Sequence, residues 1–273
     1  MTNHALKQID TGGLNIGYRE AGSGEALIFL HGIGSGSQGW SAQLDRFSAG
    51  YRALAWDAPG YGGSGDFEAE TPGAAAYGDA LAGLMDVLDI ESAHLVGNSL
   101  GSLFAGAFAK RHRGRVRSLL LSDPAIGHAE ADPQTRANSL QSRLDGVYKL
   151  GPARMAEERA LKLVAPKTGD EILAAIKDVM SQIRPDGYAR AARTLSEGNL
   201  LSDLEGCDAP ALVLTGSEDI VTPPEGGRKV AAVLSNGRFE LLDGVGHLPY
   251  VEVPERFNAK LAEFLAAQEK AAA

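Results

Sequence analysis

One cysteine, Cys207, is all that the chain of 273 residues carries, which excludes an intramolecular disulfide and the usual multi-cysteine zinc sites. It sits in Glu205-Gly206-Cys207-Asp208, just before an expected strand, and no catalytic role is assigned to it. Nowhere do 18 or more apolar residues run together, so no membrane-spanning helix is expected. The opening residues, Met1 to Asp10, lack the apolar stretch of a signal peptide, and a cytoplasmic protein is the expectation. Positive charge is short as well. Against 35 Asp and Glu stand 26 Lys and Arg, a net charge of -9, whereas a nucleic-acid partner needs clustered basic side chains. The basic run from Lys110 to Arg117 reads as the solvated end of a helix. The balance of 44% hydrophobic and 22% charged residues is that of a globular protein with a substantial core. The partner expected is a small-molecule substrate, with no nucleic acid and no membrane; a homodimer is left open.

Short apolar runs alternate with helical patterns through most of the chain, which predicts a largely parallel sheet covered by helices on both faces. Leu6–Asp10 and Leu14–Arg19, separated by Gly12-Gly13, read as a hairpin. Further strands are expected at Ala26–Leu30, Arg52–Trp56, His94–Gly97, Val116–Leu121, Ala211–Leu214 and Phe239–Leu242. Helices are expected at Tyr77–Leu88, Leu100–Arg111 and Pro254–Ala267, with a fraying alanine-rich end. Between about Pro124 and Asp203 the strand signal disappears. Helices near Thr135–Leu150, Ala153–Val164, Asp170–Gln182 and Tyr188–Leu195 fill it, and a helical insertion inside an α/β pattern reads as a lid. The division expected is a core of residues 1–123 and 204–273 and a cap of residues 124–203.

The strongest chemical signal is Gly97-Asn98-Ser99-Leu100-Gly101, a G-x-S-x-G turn between an expected strand and an expected helix. So tight a turn forces the serine into strained backbone angles, and side chains two residues away would clash; Gly97 and Gly101 remove them. The hydroxyl is lifted to the N-terminus of the following helix, where free N–H groups and a positive dipole await an oxyanion. Serine is a weak nucleophile and needs a base that an acid orients. Asp219, in Thr215-Gly216-Ser217-Glu218-Asp219 just past a strand, occupies the position where open α/β sheets build their sites. Glu218 competes with it, and a plain turn former is the simpler role for either. His247 lies in Gly244-Val245-Gly246-His247-Leu248-Pro249 after the last strand and is the base expected. His4, His112 and His128 read as surface residues and His94 as a strand position. His31-Gly32-Ile33-Gly34 follows another strand end, where a second oxyanion donor belongs. The hole is assigned to the backbone N–H groups of Ile33 and Leu100, with His31 and Gly32 shaping the loop; a purely structural glycine loop is the alternative.

Gly34-Ser35-Gly36-Ser37-Gln38-Gly39 and Gly60-Tyr61-Gly62-Gly63-Ser64-Gly65 both fit the dinucleotide pattern G-x-G-x-x-G, the first with Asp57 about 20 residues on. Neither opens the first βαβ unit, and no nicotinamide, flavin, other cofactor or metal is expected.

Four blocks in order then resemble the α/β-hydrolase superfamily: His31 to Gly34, Asp57-Ala58-Pro59-Gly60-Tyr61-Gly62-Gly63-Ser64, the turn at Ser99, and Gly246 to Phe257. The resemblance implies a mostly parallel eight-stranded sheet with helices on both faces and a helical cap. Within the superfamily the chain is similar to the 3-oxoadipate enol-lactonase and meta-cleavage-product hydrolase groups. Leu248 stands where many of the carbon–carbon hydrolases carry tryptophan, and Ser102 where they tend to carry a second glycine. Ser99 itself departs from the dehalogenases and epoxide hydrolases, which use Asp there. The function expected is a serine hydrolase of an ester, lactone or related acyl bond. A carbon–carbon hydrolase, a cofactor-free dioxygenase and a non-catalytic receptor are the alternatives. Met155, Leu161 and Tyr188 are candidates to line the pocket, with helix packing as an equal explanation.

Overall fold

The computed structural model describes residues 4–272. Met1 to Asn3 and Ala273 lie outside the described residues, so the reading of the N-terminus falls partly beyond them. β1 (Lys7–Asp10) and β2 (Asn15–Ala21) form the expected hairpin, turning through Gly12 and Gly13 at φ of 89° and 125°. There follow β3 (Glu25–Leu30), α1 (Ser41–Phe47), β4 (Tyr51–Trp56), α2 (Gly73–Val87), β5 (Ala93–Asn98), α3 (Leu100–Arg111) and β6 (Val116–Ser122). The strandless stretch holds α4 (Pro133–Asp145), α5 (Pro152–Arg159), α6 (Asp170–Ser181), α7 (Pro185–Glu197) and α8 (Leu200–Leu204). β7 (Ala211–Gly216), α9 (Pro224–Val233), β8 (Gly237–Leu242), α10 (Pro249–Glu252) and α11 (Pro254–Ala272) complete the chain.

The strands make one eight-stranded sheet in the order β1-β2-β4-β3-β5-β6-β7-β8, parallel from β4 to β8 and antiparallel where β2 meets β1 and β4. Successive side chains of a strand point to opposite faces, and here both faces are covered. Leu27 and Phe29 pack with Trp40, Leu44 and Phe257 on the side of α1 and α11. Ile28 and Leu30 pack with Tyr77, Leu81 and Phe104 on the side of α2 and α3. Each such apolar side chain contributes about 1.5–3 kcal/mol on burial. The chain leaves β3 for β4 on one flank and returns to β5 on the other, which opens a crevice at their carboxyl ends. The loop after β3 and the turn after β5 are thereby neighbours.

Several element ends differ from expectation. The helix expected over Thr135–Leu150 stops at Asp145 and widens into a π turn over Gly146–Leu150. Its successor ends at Arg159 rather than Val164, with one 3₁₀ turn beyond it. α1, α8, α9 and α10 were not foreseen. In α9 a Cβ on Gly227 would come within 2.5 Å of Thr215 Oγ1, so the helix packs on β7 only because the side chain is missing. The helical stretch meets the core at a second glycine contact, Gly187 against the backbone of Gly60. Arg184 fastens the same junction, donating from Nη2 to the Ser64 carbonyl at 2.6 Å.

Candidate active site

Four of the sequence-derived site residues sit beyond the carboxyl ends of parallel strands. Ile33 follows β3, Ser99 follows β5, Asp219 follows β7 and His247 follows β8. Ser99 takes φ 53° and ψ −115°, a conformation costly for a residue with a Cβ. The flanking glycines are required as the sequence implied. A Cβ on Gly97 would meet the Gly101 carbonyl at 2.6 Å, and one on Gly101 would strike the Leu30 carbonyl. Gly101→Ala is therefore expected to cost about 1–3 kcal/mol, the range for overpacking a rigid site. Urea unfolding measures it, and an unchanged midpoint would refute the contact.

The Asp219–His247 pair is buried, each residue 3% exposed. Asp219 Oδ2 accepts from His247 Nδ1 at 2.8 Å, so Nε2 is the ring nitrogen that this bond leaves unengaged. Asp219 Oδ1 accepts from the N–H groups of Val221 (2.7 Å) and Thr222 (3.1 Å). Burial pushes the Asp219 carboxyl upward, but the His247 and Thr222 contacts outweigh it and hold it below the ordinary range. Glu218, the competitor, is exposed. Ser99 and His247 line one cavity of about 610 Å³. Among the described residues the Ser99 hydroxyl makes no hydrogen bond, to His247 or elsewhere. Such bonds often tighten only around a substrate.

Leu100 opens α3, so its N–H has no intrahelical acceptor, and the Ile33 N–H finds none among the described residues. His31 is 1% exposed and fixes the loop that carries Ile33. Its Nε2 accepts from the Ala58 N–H at 3.0 Å and its Nδ1 donates to the Gly32 carbonyl at 2.9 Å. Burial lowers its pKa, so the ring stays neutral. The two G-x-G-x-x-G stretches have a local explanation. Asp57 accepts from the N–H groups of Ser37 (2.8 Å) and Gly63 (2.9 Å), tying both loops together.

Four residues of this site went unread in the sequence. Thr222 Oγ1 lies 2.7 Å from Asp219 Oδ2 and 3.1 Å from His247 Nδ1. Asn98 donates to the His247 carbonyl at 3.1 Å, and Glu252 accepts from Gly246 N–H at 3.0 Å; together they fix the histidine loop. Asp123 was legible by the rule that found Asp219, since it too directly follows a strand. It is wholly buried, accepts from Gly216 N–H and Ser122 Oγ, and sits with Asp219 and His247 in a cluster spanning 4.8 Å. His128 is a correction: expected at the surface, it is half-buried and lines the cavity. Of the pocket candidates Tyr188 lines the cavity, Met155 is core and Leu161 is 63% exposed.

Burial and the neighbouring Asp219 charge push the Asp123 carboxyl far above its usual range. A raised folded pKa contributes stability below the unfolded value of 3.8 and loses it as pH rises toward the folded one. Asp123→Asn, which copies the neutral acid, is expected to gain melting temperature relative to wild type as pH rises from 4 to 7. A difference independent of pH would show that Asp123 is ionised in the fold.

A family profile described as alpha/beta hydrolase fold matches residues 25–254. A protein of Paraburkholderia phymatum named 2-hydroxy-6-oxononadienedioate/2-hydroxy-6-oxononatrienedioate hydrolase is 31% identical over 268 residues, covering 92% of this chain and 91% of its own. The structure of a thermophilic esterase from Thermogutta terrifontis superposes with a TM-score of 0.87 at 27% identity, covering 98% of this chain and 99% of that one. That of the enol-lactonase from Burkholderia xenovorans LB400 gives 0.82 at 26% identity, covering 95% and 100%.

Proposed function

Because the chain belongs to the alpha/beta hydrolase fold family and is a hydrolase, we propose that it cleaves a carboxylic ester or lactone through an acyl-enzyme on Ser99. The observation that carries this reading is the Ser99 turn: a non-glycine residue at φ 53°, opening α3 onto the cavity that the Asp219-bound His247 also lines. His247 Nε2 takes the Ser99 proton as Oγ attacks the acyl carbon. The carbonyl oxygen gains charge and is held by the N–H groups of Ile33 and Leu100. Asp219 keeps the imidazole in the required tautomer and stabilises its charged form. Collapse expels the alcohol, which receives its proton from His247, and a water activated by the same ring releases the acid. Residues 124–203 act as the lid of this site and shape the acyl pocket.

Substrate class is supported by the esterase and enol-lactonase among the structural neighbours. A second reading, hydrolysis of a carbon–carbon bond in a vinylogous diketone, is favoured by the relative named for 2-hydroxy-6-oxononadienedioate. Leu248 and Ser102 speak for the ester. Turnover of an aryl ester and of a vinylogous diketone, each with a fluorophosphonate labelling control, decides between them. A burst of aryl alcohol equal to the enzyme concentration supports the acyl-enzyme. Turnover confined to the diketone replaces the first reading by the second.

A further inference from the structure

The proposed chemistry leaves one side chain beside Asp219 and His247 without a task. Thr222 lines the cavity, and its hydroxyl sits among three groups of the site. Oγ1 lies 2.7 Å from Asp219 Oδ2, 2.9 Å from the Asp123 carbonyl and 3.1 Å from His247 Nδ1. The sequence prepares that placement. Thr222 precedes Pro223, which restricts its backbone, and its branched side chain is stiff at χ1. Little rotamer freedom is lost in holding the hydroxyl there.

A carboxylate offers about four acceptor sites, and those of Asp219 are all taken. Oδ1 accepts from the Val221 and Thr222 N–H groups, and Oδ2 from His247 Nδ1 and Thr222 Oγ1. The ring is thus one donor among four, and the hydroxyl stands closer to Oδ2 (2.7 Å) than the ring nitrogen does (2.8 Å). A hydroxyl has a single proton, for which two acceptors compete here. A bond to an ionised oxygen is roughly twice as strong as one to a neutral carbonyl. The proton therefore goes to Oδ2, and the Asp123 carbonyl loses. What Oγ1 offers the ring in return is a lone pair at 3.1 Å, the longest of its three contacts.

We propose that Thr222 is a positioning residue of the hydrolysis: its hydroxyl shares Oδ2 with the ring, stops the carboxylate from turning, and limits how tightly the protonated imidazole is held. A ring held too tightly would keep the proton that the leaving group needs; one held too loosely would not take it from Ser99. The inference rests on His247 as the base of the reaction above and adds the group that adjusts it. Other titratable groups surround the ring. Asp123 and Glu252 lie on the core side, and His128, Glu130, Arg143 and Arg159 line the same cavity. All of them are shared by the wild type and a Thr222 variant, so the comparison isolates the hydroxyl.

Proton NMR of the full chain, with the Nδ1 resonance of His247 assigned by its loss in His247→Gln, tests the sharing without turnover. Thr222→Val, which keeps the branched shape and removes the hydroxyl, should move that resonance further downfield as the ring gains sole use of Oδ2. In the same variant the pH at which fluorophosphonate inactivation falls to half its maximum should rise by about 0.5 to 1 pH unit, the equivalent of part of one hydrogen bond to a charged group. Thr222→Ser, which retains the hydroxyl, should match wild type in both. A resonance and a half-point that stay in place in Thr222→Val overturn the proposal, as does movement the other way, which would make Oγ1 chiefly an acceptor for the ring. A Thr222→Ser protein that behaves like Thr222→Val overturns it too. Should Thr222→Val fail to fold, Thr222→Ala, which also removes the hydroxyl, decides in its place. An unmoved resonance in a protein that still labels at Ser99 refutes the sharing and leaves ester cleavage standing. A moved resonance in a protein that never labels upholds the sharing and removes the acyl-enzyme.

Discussion

Replacing Ser99 with alanine is expected to lower kcat by about 10⁴-fold or more and to abolish fluorophosphonate labelling. What survives would come from substrate binding and the Ile33 and Leu100 N–H groups, which the substitution leaves in place. The variant keeps its Cβ, so the strain at φ 53° persists and the melting temperature should barely move. Ser99→Gly separates the two effects. Glycine tolerates positive φ, so that variant should be as inactive as alanine yet more stable, by about 1–3 kcal/mol if the whole strain is released. Activity of Ser99→Ala within tenfold of wild type would end the nucleophile assignment. Oxygen consumption by that same variant would point instead to a cofactor-free oxygenase in which His247 is the working base.

Asp219→Asn is expected to reduce kcat about 10⁴-fold at neutral pH through the wrong tautomer rather than through lost structure. Val221 and Thr222 donate two N–H bonds to Oδ1, so the amide oxygen must take that place. The amide nitrogen then faces His247 Nδ1, which has to accept, and the ring proton moves to Nε2. A base protonated at Nε2 cannot receive the Ser99 proton. Loss of the far-downfield Nδ1 proton resonance alongside the loss of rate would establish the cause. A variant that keeps both the resonance and the rate would mean that the neighbouring Asp123 carries the histidine.

The elements that positioned the site were legible because their signals are local. A strand, a glycine-flanked serine and a small-residue helix follow one another within 20 residues, and α3 begins and ends where the sequence placed it, at Leu100 and Arg111. β7 runs two residues past its expected end, to Gly216, and β8 begins two residues before its expected start, at Gly237. Thr222, Asn98 and Glu252 were invisible for another reason. Each acts through a partner remote in sequence or through a loop conformation, and nothing in a threonine near an aspartate announces that it will bond a histidine 25 residues away.

The histidine loop is held by the helical insertion as well as by the core. The His247 N–H donates to the Leu163 carbonyl at 3.0 Å, and Glu252 accepts from Ala165 N–H at 2.8 Å and from Thr168 Oγ1 at 2.9 Å. The segment past α5 thus buttresses the loop that carries His247. Engineering that trims or swaps residues 124–203 to change selectivity should spare this seam. Cutting through it would remove three hydrogen bonds that hold the His247 loop, together with part of the pocket wall.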